Sequence, residues 1–528
     1  MEDIRSVAVI GAGISGICSG AHLLQQGLSV TVFERSSTAG GVWHFDERSA
    51  IDPSYPNEVA SRGDYSRVSF GDEDAYRTPP LTPDPRYASR PNTGESYGLS
   101  GSRTELDAEV AQLLHAPPGP CYAGLQNNVA LTLMKTSLAD WPPGLEEFVN
   151  QQYLERYIQQ IARQHRVDKV TSFNSRVEEV RKIGDKWRVR TTSPNALHDS
   201  LQLVKRTTFF DAVVVASGHY HMPRIPDIPG LKEWKTCFPH RIQHSKGYRH
   251  GKKYQNSNVL LIGAGVSSTD IAKEVVQAGG TVWQSSRGGI FDLPASSLPA
   301  KARRVTGISS FILQGVRSED TPEPDTSRKE LPIPGRVILS DGTELCGLHY
   351  IILATGYITS YPFLEDKHSD DKTRTKADDK LLVTKEGDMV HNLYKDIFYL
   401  EDPSLAFVGV PYHISTFSLF DFQAQAVARV LAGVVKLPAY HTMRAEYAEK
   451  VRSRGLGREF HSLRATGAEI GYVRDLVESV NLSLAAGVEP MIGHSEVWIA
   501  AHRVQREQLA KRFGGSLDQW LPKELIQG

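Results

Sequence analysis

Two stretches of this 528-residue chain set glycines where backbone must come close to phosphate. In SVAVIGAGISGICSGAHLLQQGLSVTVFER, Gly11, Gly13 and Gly16 follow a β-branched run and open a helical pattern, and Glu34 stands 23 residues beyond Gly11. Each residue type answers a physical need. Gly11 turns the chain, Gly13 admits the backbone to a pyrophosphate, and Gly16 lets the helix pack closely, while the helix N-terminus offers about half a positive charge. Glu34 is placed to accept hydrogen bonds from the adenosine ribose hydroxyls.

The second stretch, NSNVLLIGAGVSSTDIAKEVVQAGGTVWQSSRGG, repeats the pattern with Gly263 and Gly265, then Ser267 and Ser268 at the helix start. Ser268 takes the third glycine position, where a small hydroxyl residue still permits packing. The same 23-residue step from Gly263 reaches Ser286, so the carboxylate that would repel a 2'-phosphate is gone. Arg287 beside it can supply a charge-assisted clamp, which makes this copy a site for NADP. Two dinucleotide folds in one chain suggest electron relay from a nicotinamide to a flavin, with FAD in the first.

These motifs need elements to hold them. A chain of this length exceeds one ordinary core. DAVVVASGHYHMPRIPDIPG (211–230) and HYIILATGYITSYP (349–362) each read as a buried strand ending in a small residue and glycine, and they bracket the second fingerprint. The expected fold class is α/β, with two Rossmann-like domains, the NADP domain inserted into the FAD domain. Residues 1–220 form the first part of the FAD domain, 221–345 the insert, 346–440 the second part, and 441–528 a C-terminal helical segment. Residues 51–120 are a proline-rich insertion, expected to be partly disordered or a cover over substrate access. In the helical segment, AEYAEKVRSRG and HSEVWIAAHRVQREQLAKRFGG place apolar residues at helical spacing. Those faces suit packing on the FAD domain or on a second subunit, so a homo-oligomer stays open.

Composition narrows the partners. Sixty basic and sixty-one acidic residues leave a net charge of -1 without a like-charged block, which argues against nucleic acid or an anionic membrane surface. The four cysteines, Cys18, Cys121, Cys237 and Cys346, form no C-x-x-C, and a reducing, cytoplasmic setting is expected. The sequence shows no transmembrane run and starts directly on a strand, so no leader is expected. His219, His221, His240, His244 and His250 cluster without a carboxylate or cysteine at zinc spacing, and no metal is expected.

FPHRIQHSKGY (238–248) carries the resemblance that sharpens the reading. Phe238, His244 and Tyr248 fall on the spacing F-x-G-x-x-x-H-x-x-x-[YF], with His240 replacing the glycine, and in this the chain resembles the flavin-containing monooxygenases. GGVW, with Gly41, Val42 and Trp43, looks like the family's flavin-contacting G-G-x-W, and LATGY, with Thr355 and Gly356, like its L-x-A-T-G-Y. YAGLQNN resembles Y-x-x-L-x-T-N. That puts Asn128 on the asparagine beside the reactive flavin edge and Asn127 where threonine is usual. In FSLFDFQAQ, Asp421 replaces glutamate and Gln423 is kept as a flavin-side residue.

The resemblance implies FAD and NADPH as cofactors, O2 as co-substrate, and a C4a-hydroperoxyflavin that oxygenates nitrogen or sulfur of a small amine or thioether, such as a biosynthetic intermediate. Phe238, His244 and Tyr248 are expected to brace the junction rather than do chemistry. Two alternatives stay open. One is Baeyer–Villiger oxygenation of a ketone, although Tyr248-Arg249 lacks the tryptophan and following proline or aspartate of those enzymes. The other is a regulator that binds both nucleotides without oxygenating, its substitutions at Asn127, His240 and Asp421 being decay.

Overall fold

The computed structural model describes residues 3–57, 59–65, 96–97, 108–197, 200–314, 331–465 and 467–513. Most of the proline-rich insertion and the acidic loop at 318–330 lie outside the described residues.

Valines and isoleucines in the strand Ser6–Ile10 are covered on both faces, as a near-continuous apolar run requires. It pairs in parallel with Ser29–Phe33 on one side and Ala212–Val215 on the other. These are the centre of a seven-stranded sheet whose order is Leu393–Tyr394, Phe398–Tyr399, Leu405–Phe407, Ala212–Val215, Ser6–Ile10, Ser29–Phe33, Thr171–Ser172. Helix Ile14–Gln25 crosses between the first two strands and packs on helix Thr416–Leu431, where the ring of His22 meets Asp421 at 2.7 Å. The chain therefore returns to its first domain late in the sequence: Ile358, Phe363, Leu382 and Val390 already share a buried cluster with Ala8, Ile10 and Phe33, and the strands from Leu393 onward join the sheet.

A second, wholly parallel sheet has the order Ile242–His244, Tyr350–Leu353, Asn258–Ile262, Thr281–Ser285, Ala302–Val305. Its membership corrects one boundary. Tyr350–Leu353 belongs to this sheet, so the inserted unit continues past residue 345 and ends only with LATGY. The misplacement has a physical cause: a buried strand run reads the same whichever sheet it joins. At the junction, Met222–Pro223 and Tyr357–Ile358 pair antiparallel, so the chain enters and leaves the insert as a two-stranded ribbon.

The first described stretch of the insertion is stitched into this junction. Asn57 donates to the Pro223 carbonyl and accepts from the Ile225 N–H, both at 2.9 Å, and Asp52 accepts from the Lys235 ammonium at 2.7 Å. Ser61 and Tyr65 likewise bond to Asp370 and to the Val177 carbonyl, so 51–57 and 59–65 are tied to both parts of the chain that meet at this junction.

The helices Tyr440–Arg454 and Ala468–Leu482 settle what their apolar faces meet. Met443, Tyr447, Val473, Leu476 and Val480 share one buried cluster with Val7 and Ile17 of the first domain. Each such side chain removed from water contributes about 1.5–3 kcal/mol, so this face is occupied within the chain.

Candidate active site and cofactor cleft

The two fingerprints are built alike. Gly11 has φ +101°, and a Cβ there would lie 2.7 Å from the Ala216 carbonyl oxygen; Gly263 has φ +110°, and a Cβ would lie 2.3 Å from that of Ala354. In both cases the glycine turn rests on the small residue that ends a crossing strand, with Ala216 N–H bonded to Ile10 and Ala354 N–H to Ile262. The helices Ile14–Gln25 and Val266–Gln277 start at Gly13 and Gly265 without a capping side chain and without an acid in the first turn. Their leading N–H groups are left for an anion, and nothing lies within 4 Å of a Cβ built at Gly265.

At the first fingerprint a Cβ on Gly16 would sit 1.8 Å from the Gly11 carbonyl oxygen, so only glycine allows this approach. Gly13 faces Gly41, where a Cβ would fall 2.8 Å from the Gly13 Cα. The G-G-x-W turn, Gly41–Trp43 with Val42 at its middle, is thereby laid against the glycine loop, and Trp43 meets the edge of Phe417 at 6.3 Å. Glu34 is buried and already accepts from the Ala12 N–H at 2.7 Å and from the Ser36 N–H and hydroxyl at 2.8 Å. It braces the loop, while its two oxygens retain lone pairs for ribose hydroxyls.

At the second fingerprint Ser268 is fully buried and accepts from the Gln284 amide at 2.8 Å, so the serine is used as a tie to the neighbouring strand. Ser267 is exposed at the helix start. The Arg287 head is exposed, its stem lying over Gly307. Ser286 donates to Asp292, a carboxylate that sequence spacing did not bring to this loop.

The junction motif is placed as a brace. His244 is buried, and the Lys246 N–H at 3.1 Å makes its Nδ1 the acceptor. Nε2–H then donates to the Gly356 carbonyl at 3.1 Å. Burial, reinforced by the Lys246 charge, holds this imidazole down to about 3, so it stays neutral. Gly356 also accepts from the Arg224 N–H, and Thr355 donates to the Arg224 carbonyl, which locks LATGY to the incoming chain. Tyr248 is wholly buried and donates to Glu274, whose carboxyl burial pushes up. Phe238 packs on the core under the second sheet. His240 is exposed and has no positive φ, so the position does not demand glycine.

The residues around Asn128 divide the labour. Asn127 is buried and fixes the segment, donating to the Val129 and Glu147 carbonyls at 2.7 Å and accepting from the Val149 N–H at 2.6 Å. Asn128 is exposed, with no side-chain hydrogen bond among the described residues. Gln423 is fully buried; it accepts from the Gly409 N–H at 2.9 Å and donates to Tyr472 at 2.7 Å, so its amide ties helix Thr416–Leu431 to its neighbours. Asp421 is held below the usual carboxylate range, against the opposing effect of burial, by His22 and by the Ser137 N–H at 2.9 Å.

Sequence reasoning missed the buried ion group that joins the two sheets. Asp64 accepts from both Arg35 nitrogens at 3.0 and 3.2 Å and from the Lys246 ammonium at 2.7 Å, and Lys246 also donates to the His221 carbonyl. Lys246 sits inside the junction motif, but Asp64 lies in a stretch without pattern. No group of three or more His, Cys, Asp or Glu able to hold a metal occurs among the described residues. No helix among them is long and apolar enough to cross a membrane.

With this geometry in place, comparison decides the family. The pattern described as flavin-binding monooxygenase-like matches residues 121–297 and 329–490, more than half of the chain. The chain belongs to the flavin-binding monooxygenase family. A further match, an NAD(P)-binding Rossmann-like domain, covers residues 9–64. The flavin-containing monooxygenase ustF2 of Aspergillus flavus is 41% identical over 95% of this chain and 97% of its own length. Among solved structures, the S-allyl-L-cysteine S-oxygenase of Allium sativum aligns with TM-score 0.61 at 23% identity, covering 99% of this chain and 97% of that one. Tmm from Pelagibacter aligns at 0.65 and 19%, covering 97% and 92%. The chain is a flavin-dependent monooxygenase, with FAD and NADPH as its cofactors.

Proposed function

We propose that this monooxygenase places one oxygen atom of O2 on the nitrogen or sulfur of a small amine or thioether. The observation that carries the reading is the commitment of the ionisable side chains around the fingerprints and the junction. Glu34, Asp64, Glu274 and Asp421 are each bonded to neighbours, and His244 is neutral with both ring nitrogens engaged. A soft nucleophile needs no base to remove a proton before it attacks an electrophilic oxygen, so such a site suits amines and thioethers. The ending Tyr248-Arg249, unlike that of ketone-oxygenating relatives, points the same way.

Bound NADPH supplies hydride and bound FAD the centre at which oxygen is activated. The chain does the rest. The uncapped starts of helices Ile14–Gln25 and Val266–Gln277 hold the two pyrophosphates, and Glu34 and Arg287 select the two riboses. His244 fixes the Gly356 carbonyl and so the ribbon between domains. Asn128, its amide unengaged, offers a donor and an acceptor at the reacting edge.

A non-oxygenating regulator is less well supported. Asn127 and Asp421 are fully integrated and His240 is unstrained, which supports reading the three departures from the family pattern as compatible with an intact fold. The test is aerobic NADPH consumption with a panel of amines, thioethers and ketones, read by mass for a product 16 Da heavier. N- or S-oxides formed in step with NADPH support the proposal; esters from ketones alone, or NADPH use with no product, overturn it.

A further inference from the structure

Helix Glu496–Phe513 lies beyond residue 490, where the family match ends, yet it is seated on the segment that carries Asn128. Trp498, His502 and Gln505 fall three and four residues apart, on one face. Trp498 is buried and donates to the Leu133 carbonyl at 3.1 Å. His502 stacks on Trp498 at 5.0 Å and meets Glu469 at 3.5 Å. Glu469 accepts in turn from the Ser415 N–H at 2.8 Å. With the helix so anchored, Gln505 reaches the backbone on both sides of Asn128: its amide donates to the Asn128 carbonyl at 3.2 Å and accepts from the Ala130 N–H at 3.3 Å.

We propose that Gln505 is a positioning residue that fixes the orientation of Asn128 and so sets how much activated oxygen reaches substrate instead of leaving as hydrogen peroxide. The placement rests on the reading of Asn128 given above. Asn127 holds the chain from within and Gln505 from without, so Asn128 is the one residue between two clamps whose own amide is uncommitted. Loss of the outer clamp lets the Asn128 peptide rotate without disturbing either dinucleotide fold. The leak is the balanced reaction NADPH + H+ + O2 → NADP+ + H2O2.

The experiment uses the full-length holoenzyme with no added substrate and compares wild type, Gln505→Ala, Gln505→Glu, Asn128→Ser and the control Val504→Ala on the exposed face. Peroxide release in air and the rate of flavin reduction by NADPH without air are both read. Gln505→Ala is expected to release peroxide about two- to tenfold faster, the range that one or two neutral hydrogen bonds allow, with anaerobic reduction unchanged. Gln505→Glu keeps the acceptor for Ala130 but loses the donor to Asn128, and should leak as well; Val504→Ala should not. If Asn128→Ser leaks and neither Gln505 variant does, or if the Gln505 variants slow anaerobic reduction equally, the clamp is refuted. If wild type releases peroxide as fast as its flavin is reduced, the oxygenase reading itself fails.

Discussion

Asp64 and Lys246 form a buried ion pair at 2.7 Å that joins the first fingerprint to the segment entering the second sheet. Arg35, one residue past Glu34, completes the group from the other side. Burial opposes a charged carboxylate here, but the two cations overcome it and hold Asp64 far below its ordinary range. Two nucleotide sites are thus held in register by charge as well as by the ribbon at 222–223 and 357–358.

Asp64→Asn leaves buried Lys246 and partly buried Arg35 without their counter-ion. Destabilisation of about 3–5 kcal/mol is expected, read as a lower midpoint in denaturant at pH 7.5. Because the folded-state carboxyl is depressed, its contribution is present above the unfolded value near 4 and is lost only as pH falls below that. The mutant and wild type should therefore converge in strong acid, and a constant gap down to pH 2 would contradict the account.

Acid should weaken the fold earlier through buried neutral histidines. Burial lowers His244 to about 3, and His115 and His391 to about 4, the last two further depressed by the Arg176 and His461 charges respectively. The stability they give is whole above the unfolded value of about 6.5 and is lost as pH drops toward 4, by up to about 1.4 kcal/mol per pH unit for each group. Unfolding midpoints at pH 8, 6.5 and 5 should fall mainly between the last two; equal midpoints at 6.5 and 5 would contradict this.

Under the proposed reading, in which Arg287 meets the 2'-phosphate, Arg287→Ala removes that charge and leaves the glycine loop intact. KM for NADPH should rise about tenfold or more, as loss of a charged hydrogen bond implies, while NADH kinetics stay unchanged. Equal losses for both nucleotides would place Arg287 elsewhere.

Gly16→Ala puts a methyl 1.8 Å from a carbonyl oxygen that cannot retreat without opening the Gly11 turn. The purified variant should carry little flavin, judged by its visible absorbance, while the second site still protects NADPH-binding peptides from proteolysis. Full flavin content would contradict the packing role given to Gly16.

The fingerprints were legible because their requirements are local: a glycine turn, a helix start and a strand end lie within thirty residues. Ser268 and His240 show the limit of that legibility, since neither tolerates reading by residue type alone; one is tied to Gln284 and the other simply faces water. The boundary near 345 was misjudged because periodicity does not say which sheet a buried strand joins. Asp64 and Gln505 carried no signal at all. Their partners lie 182 and 377 residues away, and only the folded chain brings such pairs together; Asp292 pairs locally with Ser286, but no motif marks that loop.

The most direct test of the central claim is the fate of oxygen. The holoenzyme is supplied with NADPH, 18O2 and each active amine or thioether, and the product is weighed. One heavy atom on nitrogen or sulfur per NADPH oxidised, with coupling lost in Asn128→Ser, is the predicted result. Heavy oxygen found only in peroxide, or only in an ester made from a ketone, would contradict it.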